Sequence, residues 1–227
     1  MKLKKIASLA LAGLMAVSML AGYGNNANSG NNNNNGAVSS SIVDAVNNGQ
    51  DSYNDVKVTF TADSKLQDAA NTVIASYGES LSQQVYTDAI AKIAQYAGIV
   101  DYKDAPKSNP FYGDKTGLVS PATAKDGEKV TFLAMVSIGD SSCSNAYMMN
   151  FAADSINNLV ASLDDTTLVT ADDKKNDPNL ELTKEDDPYY DFSYTGKVCM
   201  VEVPYASGAT NYYMVVVLEQ TVAEKTL

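Results

Sequence analysis

At 227 residues, with 27 acidic and 16 basic side chains, the chain has a formal net charge of −11, and it contains no His and no Trp. Every basic residue is Lys, so there is neither a basic excess to neutralise phosphates nor an Arg to read base edges, which argues against a nucleic-acid-binding protein. The lack of His excludes a Ser-His-Asp triad, and the Cys residues are too few for a zinc site.

The first 24 residues have the pattern of an export signal. Lys2, Lys4 and Lys5 form a basic start, and residues 6–21 form an apolar segment that is too short and too weakly apolar for a membrane-spanning helix. We therefore predict an exported protein whose mature chain has no spanning helix.

The end of this segment, Ser18-Met-Leu-Ala-Gly-Tyr-Gly24, resembles the lipobox of bacterial lipoproteins, in which Cys follows Leu-Ala-Gly. Tyr23 stands at the position of that Cys, so no thiol is present to carry a lipid. The resemblance implies export. Without the thiol, either an ordinary signal peptidase cuts near Gly22 and Gly24 or the segment stays uncleaved as an anchor, and we favour a secreted or loosely surface-held protein over a lipid-anchored one.

Residues 25–54 are predicted to form a flexible tether. The first part is nearly all Asn, Gly and Ser, which cannot bury apolar area. A short apolar turn at Ile42, Val43 and Val46 is expected to dock only weakly. The globular domain is predicted over residues 55–222.

Two helices follow a short strand at residues 56–60. The first begins after a cap at Asp63 or Ser64 and ends at Gly78, and the second covers residues 81–97 with Gly98 as its stop. Residues 101–127 contain several Pro and Gly and are typical of a long connecting loop.

The predicted centre of the fold is a strand at residues 130–138, apolar on both faces, which runs through a turn into an amphipathic helix that ends near Leu163. Ser141 or Ser142 is the expected cap of that helix. An acidic loop is predicted at residues 164–191, followed by strands at 198–203 and 212–222 joined as a hairpin. This order predicts an α/β (α+β) protein with a single αβα layered domain, a mixed sheet and a C-terminal β-hairpin.

The order of these segments is similar to that of the CAP (SCP-like) superfamily of secreted proteins. The similarity depends on Leu66-Gln-Asp-Ala-Ala70, on a late helix with Ser155, and on the final strands. Asn158 stands at the position that matches a family His, and Glu128 matches the Glu of a Gly-Glu-Asn motif. The resemblance implies a degenerate domain without the family's His-dependent metal site.

Cys143 and Cys199 are the two cysteines, and an even pair in an exported protein is compatible with a disulfide. The bridge would form if the strand of Cys199 lay beside the strand at 130–138, and it could contribute about 4 kcal/mol in the chain-entropy model. The alternative is two small buried side chains that never meet.

Two other groups of residues are candidate sites, and each also has an ordinary structural explanation. The acids Asp172, Asp173, Asp177 and Glu181 offer oxygen ligands, but their spacing does not match an EF-hand, so a solvated loop is the better interpretation and we predict no metal and no cofactor. A cluster of aromatic residues could form a contact patch or could pack within a strand. The members of this cluster are Tyr189, Tyr190, Phe192 and Tyr194.

The predicted function is a non-enzymatic cell-envelope or secreted module that binds a protein or glycan partner at the cell surface. The contact would be made by the loop at 101–127 or by the aromatic patch. The alternative is a carboxylate-dependent hydrolase of envelope glycans, which requires two acidic residues to face each other across a cleft. The candidates for that pair are Glu128, Asp154, Glu202 and Glu219.

Overall fold

The computed structural model describes residues 41–81, 85–100, 102–104, 118–184 and 188–225. Within these residues the helices are α1 (Ile42–Asn48), α2 (Ser64–Tyr77), α3 (Tyr86–Ala97), α4 (Asn145–Ala161) and α5 (Ala171–Asn176). The strands are β1 (Thr59–Thr61), β2 (Tyr102–Asp104), β3 (Lys129–Asp140), β4 (Tyr189–Pro204) and β5 (Thr210–Lys225). No helix in these ranges is long and apolar enough to cross a membrane.

The strands form one mixed sheet in the order β1-β4-β5-β3-β2. β1 runs parallel to β4 and β2 parallel to β3, whereas β5 is antiparallel to both of its neighbours. The predicted α/β class, mixed sheet and C-terminal hairpin are therefore confirmed. The strand of the predicted centre, β3, lies beside the hairpin and pairs with β5.

Helices cover both faces of the sheet, because successive side chains of a strand point to opposite faces. One face packs against α1 and α4, and its strand residues include Phe60, Phe132 and Val216. The other face packs against α2 and α3, and its strand residues include Leu133 and Val215. β3 and β5 have to be apolar on both faces for this reason.

The helix ends follow local chemistry. The Asp63 carboxylate accepts a hydrogen bond from the Leu66 N–H at 2.9 Å and caps α2, as predicted. The predicted cap of α4 is wrong: Ser144 accepts from the Tyr147 N–H, whereas the Ser142 N–H and hydroxyl donate to Asp140. The turn after β3 is therefore closed by Asp140, and the helix begins after it.

Helix α1 belongs to the core, so the folded part already includes residues that were predicted to lie in the tether. Val46 is fully buried, and the side-chain amide of Asn47 both donates to and accepts from the backbone of Phe60 at 2.8 Å. Gln50 makes the same pair of hydrogen bonds with Val58. The two amides satisfy the outer edge of the β1 segment in the way that a neighbouring strand would. Residues 1–40, with the predicted signal and most of the tether, lie outside the described residues.

The acidic segment contains a helix that was not predicted. Thr170 and Asp173 form a capping box that begins α5, and Lys174 and Lys175 occupy its last turn. All residues of α5 are solvent-exposed, as expected for a solvated segment. The expectation of a loop without regular structure is wrong at these residues. Strand β4 already begins at Tyr189, inside the predicted loop.

Candidate functional site

The predicted aromatic patch is mostly a small core. Strand alternation places Tyr190, Phe192 and Tyr194 on one face, where Phe192 is buried and both tyrosines pack against its cluster. The Tyr194 hydroxyl donates to the Asp164 carbonyl at 2.7 Å. Burial raises the pKa of Tyr194. Of the two alternatives, packing within the strand therefore describes Tyr190, Phe192 and Tyr194, while Tyr189 lies on the opposite face.

Of the two alternatives for the cysteines, the structure has the separate thiols and not the disulfide. Cys143 packs against the α1 and α4 side of the sheet, whereas Cys199 lies buried on the α2 and α3 side, and both thiols are free. Strand β5 separates β3 from β4, so the strand that carries Cys199 is not the neighbour of β3. Burial raises the pKa of the Cys199 thiol.

The four candidate carboxylates lie in different parts of the fold. Glu202 faces the α4 side opposite Tyr212, and burial raises its pKa while a hydrogen bond from Tyr212 lowers it. Asp154 lies on the exposed surface of α4, and Glu128 precedes β3. Glu219 alone among them lines a groove, described next. The pair that the hydrolase alternative requires is not formed by these four residues.

The groove lies on the α2 and α3 face of the sheet, at the start of α2 and the end of α3, where the helices no longer cover the strands. Its walls are residues 62–65 at the start of α2 and residues 97–100 at the end of α3, and its volume is about 690 Å³. Thr131, Lys197 and Glu219 form its floor. The sequence folds in this way because Asp63 begins α2 and Gly98, with φ of +71°, ends α3.

An ion-pair cluster crosses the floor of the groove. The Lys197 Nζ lies 3.2 Å from one carboxylate oxygen of Asp63 and 3.9 Å from an oxygen of Glu219. The other oxygen of Asp63 accepts the hydrogen bond from Leu66. That backbone hydrogen bond, helped by Lys197, lowers the pKa of Asp63 despite partial burial. Asp63 is therefore ionised at neutral pH and is held in a defined position by the start of α2.

A row of polar side chains continues the floor across four strands. Directly paired positions on β3, β5, β4 and β1 carry Thr131, Glu219, Thr195 and Thr59, which we call the polar row. All four side chains are exposed or half-buried and face the α2 and α3 side. Thr131 and Glu219 lie on the groove floor, and Thr195 and Thr59 extend the row beyond the residues that line the groove. Neighbouring strands are about 4.8 Å apart, so the row presents hydroxyl and carboxylate groups at about that interval.

The groove combines balanced charge with an apolar wall. Asp63 and Glu219 balance Lys65 and Lys197, and the positive end of α2 lies across from the negative end of α3. Val100 is 76% exposed on the α3 wall, next to the half-buried Ile99. Such a surface can offer hydrogen-bond donors and acceptors to a polar ligand and an apolar contact at one side.

Within the described ranges, no three acidic or Cys side chains come together as a possible metal site. Comparison of the chain with protein-family models, with curated proteins and with solved structures finds no match.

Sequence reasoning assigned Asp63 only a capping role and gave Lys197 and the threonines no role. A signal was present in the strands, because Lys197 stands directly before the apolar run 198–201 and Glu219 directly after the apolar run 214–218. Recognising the site from this signal requires the strand register, which brings Thr131, Glu219 and Thr195 side by side.

Proposed function

We propose that the chain is an exported, non-enzymatic binding module of the cell envelope and that the groove between the start of α2 and the end of α3 is its ligand site. Export is supported by the basic and apolar residues at 2–21 and by the Asn-rich stretch behind them. The CAP resemblance is carried by the sequence alone, and a chain without His cannot provide that family's metal ligands.

The observation that carries the proposal is the fixed ion-pair cluster in an open groove. Lys197 is 38% exposed and Glu219 is 49% exposed, so both present polar atoms to solvent, and the closer ion-pair partner of Lys197 is Asp63 at 3.2 Å. Charged groups that are already oriented lose little freedom when a ligand binds them. The same face of the sheet is buried under helices beyond this point, so the groove is the uncovered part of that face.

The hydrolase alternative has less support. Asp63 and Glu219 do converge on Lys197, but a general acid needs a raised pKa, and the pKa of Asp63 is lowered. An ionised carboxylate with this pKa is suited to accept hydrogen bonds from a ligand.

Co-sedimentation of the purified mature protein with insoluble bacterial envelope particles tests the proposal. Lys197→Met should lower the bound fraction strongly, because it removes the cation that lies between the two carboxylates on the groove floor. Lys174→Met, in the exposed helix α5, is the matched control and should bind as the unmodified protein does. Equal binding of all three proteins, or no binding of any, contradicts the proposal.

The export part is tested separately by the intact mass of the secreted protein. We expect a chain cut close to Gly22 or Gly24 that carries no lipid. A mass that includes an added diacylglycerol, or retention of the full chain inside the cell, contradicts it.

A further inference from the structure

We infer that the ligand of the groove is a neutral oligosaccharide of pyranose units, an inference that rests on the proposed function of the groove. The ligand class follows from the charge of the groove, from the polar groups and their spacing on its floor, and from its apolar wall.

The charges of the side chains that line the groove favour a neutral ligand. The two Lys and two acidic side chains that line the groove cancel, and Lys197 already has both carboxylates as partners. An anionic ligand would also meet a chain with a net charge of −11. A strongly cationic ligand would have to compete with Lys197 for Asp63 and Glu219.

The polar groups favour a ligand that is rich in hydroxyls. Lys197 donates hydrogen bonds, Asp63 and Glu219 accept them, and the threonines of the polar row do both. A sugar hydroxyl can accept from the ammonium and donate to a carboxylate at once, so the ion-pair cluster fits it without leaving a charge unpaired. Hydrogen bonds to charged groups are also stronger than those between neutral groups.

The spacing and the apolar wall favour a chain of rings over a single small molecule. Thr131 and Glu219 on the groove floor stand at directly paired positions of neighbouring strands, about 4.8 Å apart, which is close to the repeat of linked pyranose units. Val100 and Ile99 lie at the side of the groove, where the apolar C–H face of a ring could pack. The groove is open, so a polymer could pass through it without having to enter by an end.

Competition on the envelope particles tests the ligand class with chitotetraose, cellotetraose and maltotetraose as probes. At least one of these should displace the protein at millimolar concentration. Glu219→Gln should weaken that competition about tenfold, because it removes the charged acceptor and disturbs Lys197. Glu181→Gln, at an exposed position outside the groove, should leave it unchanged.

A second treatment separates failure of this inference from failure of the proposed function. The particles are digested with a proteinase and washed before the protein is added. Binding should remain intact if the ligand is a glycan. If none of the three tetrasaccharides competes, the inference is overturned, and loss of binding after proteinase digestion then identifies a protein ligand in the same groove. If the unmodified protein does not bind untreated particles, the proposed function itself is overturned.

Discussion

The face of the sheet below α2 and α3 has two halves that differ sharply although the same strands build both. Toward the hairpin turn, Met135, Val215 and Cys199 form a cross-strand row that is buried under the helices. Toward the other end, the polar row is open to solvent. Between them, Leu133 and Val217 are paired in one row with Lys197 and Thr61, so the change in polarity occurs within a single row.

The groove forms at the place where α2 begins and α3 ends above the sheet. Asp63 begins α2 and Gly98 ends α3 at the position where the strand residues change from apolar to polar. The covered half supplies the rigid support, because its side chains are locked in the core. The open half can therefore hold charged side chains in a fixed arrangement without being covered itself.

The largest expected difference between the halves is in stability. Leu133→Ala removes a fully buried side chain from β3 and should lower the free energy of unfolding by about 2–5 kcal/mol. Thr131→Ala lies two residues earlier on the same face and should change it by no more than about 0.5 kcal/mol. Urea denaturation measures both. Similar costs for the two substitutions would mean that the groove floor is part of the core.

Gly196→Ala tests the packing on the opposite face of the sheet, below α1 and α4. A Cβ at Gly196 would overlap the ring of Phe60, which is buried in the core on the α1 and α4 side. We expect a loss of about 1–3 kcal/mol in urea denaturation, because the ring has to move. Thr195→Ala, at an exposed adjacent position, should cost less, and a tolerated Gly196→Ala would show that β1 does not pack closely on β4.

Asp63→Ala tests the link between the groove and the start of α2. Loss of the cap should cost about 1 kcal/mol near neutral pH, whereas Asp154→Ala on the exposed side of α4 should have a smaller effect. Because the pKa of Asp63 is lowered in the folded chain, its stabilisation is complete above its ordinary value of 3.8 and is lost as the pH falls through the lowered value. Urea denaturation over an acid pH series should show the two proteins converging. A gap that stays constant with pH would contradict the role of the charge.

The smallest expected difference between the two halves is in the reactivity of the two thiols, and it is measured without any substitution. The half-buried Cys143 should react with a thiol reagent in the native protein, whereas Cys199, whose pKa is raised by burial in the covered half, should react only after unfolding. Thiol titration without reductant, before and after adding denaturant, measures this. An unfolded chain with no reactive thiol would mean that the two cysteines are bonded.

Much of the architecture could be predicted from local patterns. The periodicity of α2 and α3, the Gly stops at Gly78 and Gly98 and the apolar strand β3 are each determined by nearby residues, and the αβα layering follows from strands that are apolar on both faces. The role of α1 was not predictable in this way. Asn47 and Gln50 are polar, and only the position of β1 shows that their amides bond its backbone.

The site and the cysteine pairing depend on register, which composition does not reveal. Neither the separation of β3 from β4 by β5 nor the face of Cys199 can be derived from the spacing of the two cysteines. The same limit applies to the polar row, since Thr59, Thr131, Thr195 and Glu219 are far apart in sequence and become neighbours only through strand pairing. A single threonine in a strand gives no sign of function.

Amide chemical-shift mapping of the isotope-labelled protein during titration with the competing tetrasaccharide tests the central claim most directly. We predict that the largest shifts fall in residues 62–65 and 97–100 and at Thr131, Lys197 and Glu219. Shifts centred on residues 189–194, on the outer surface of α4, or nowhere above the background would show that the groove is not the binding site.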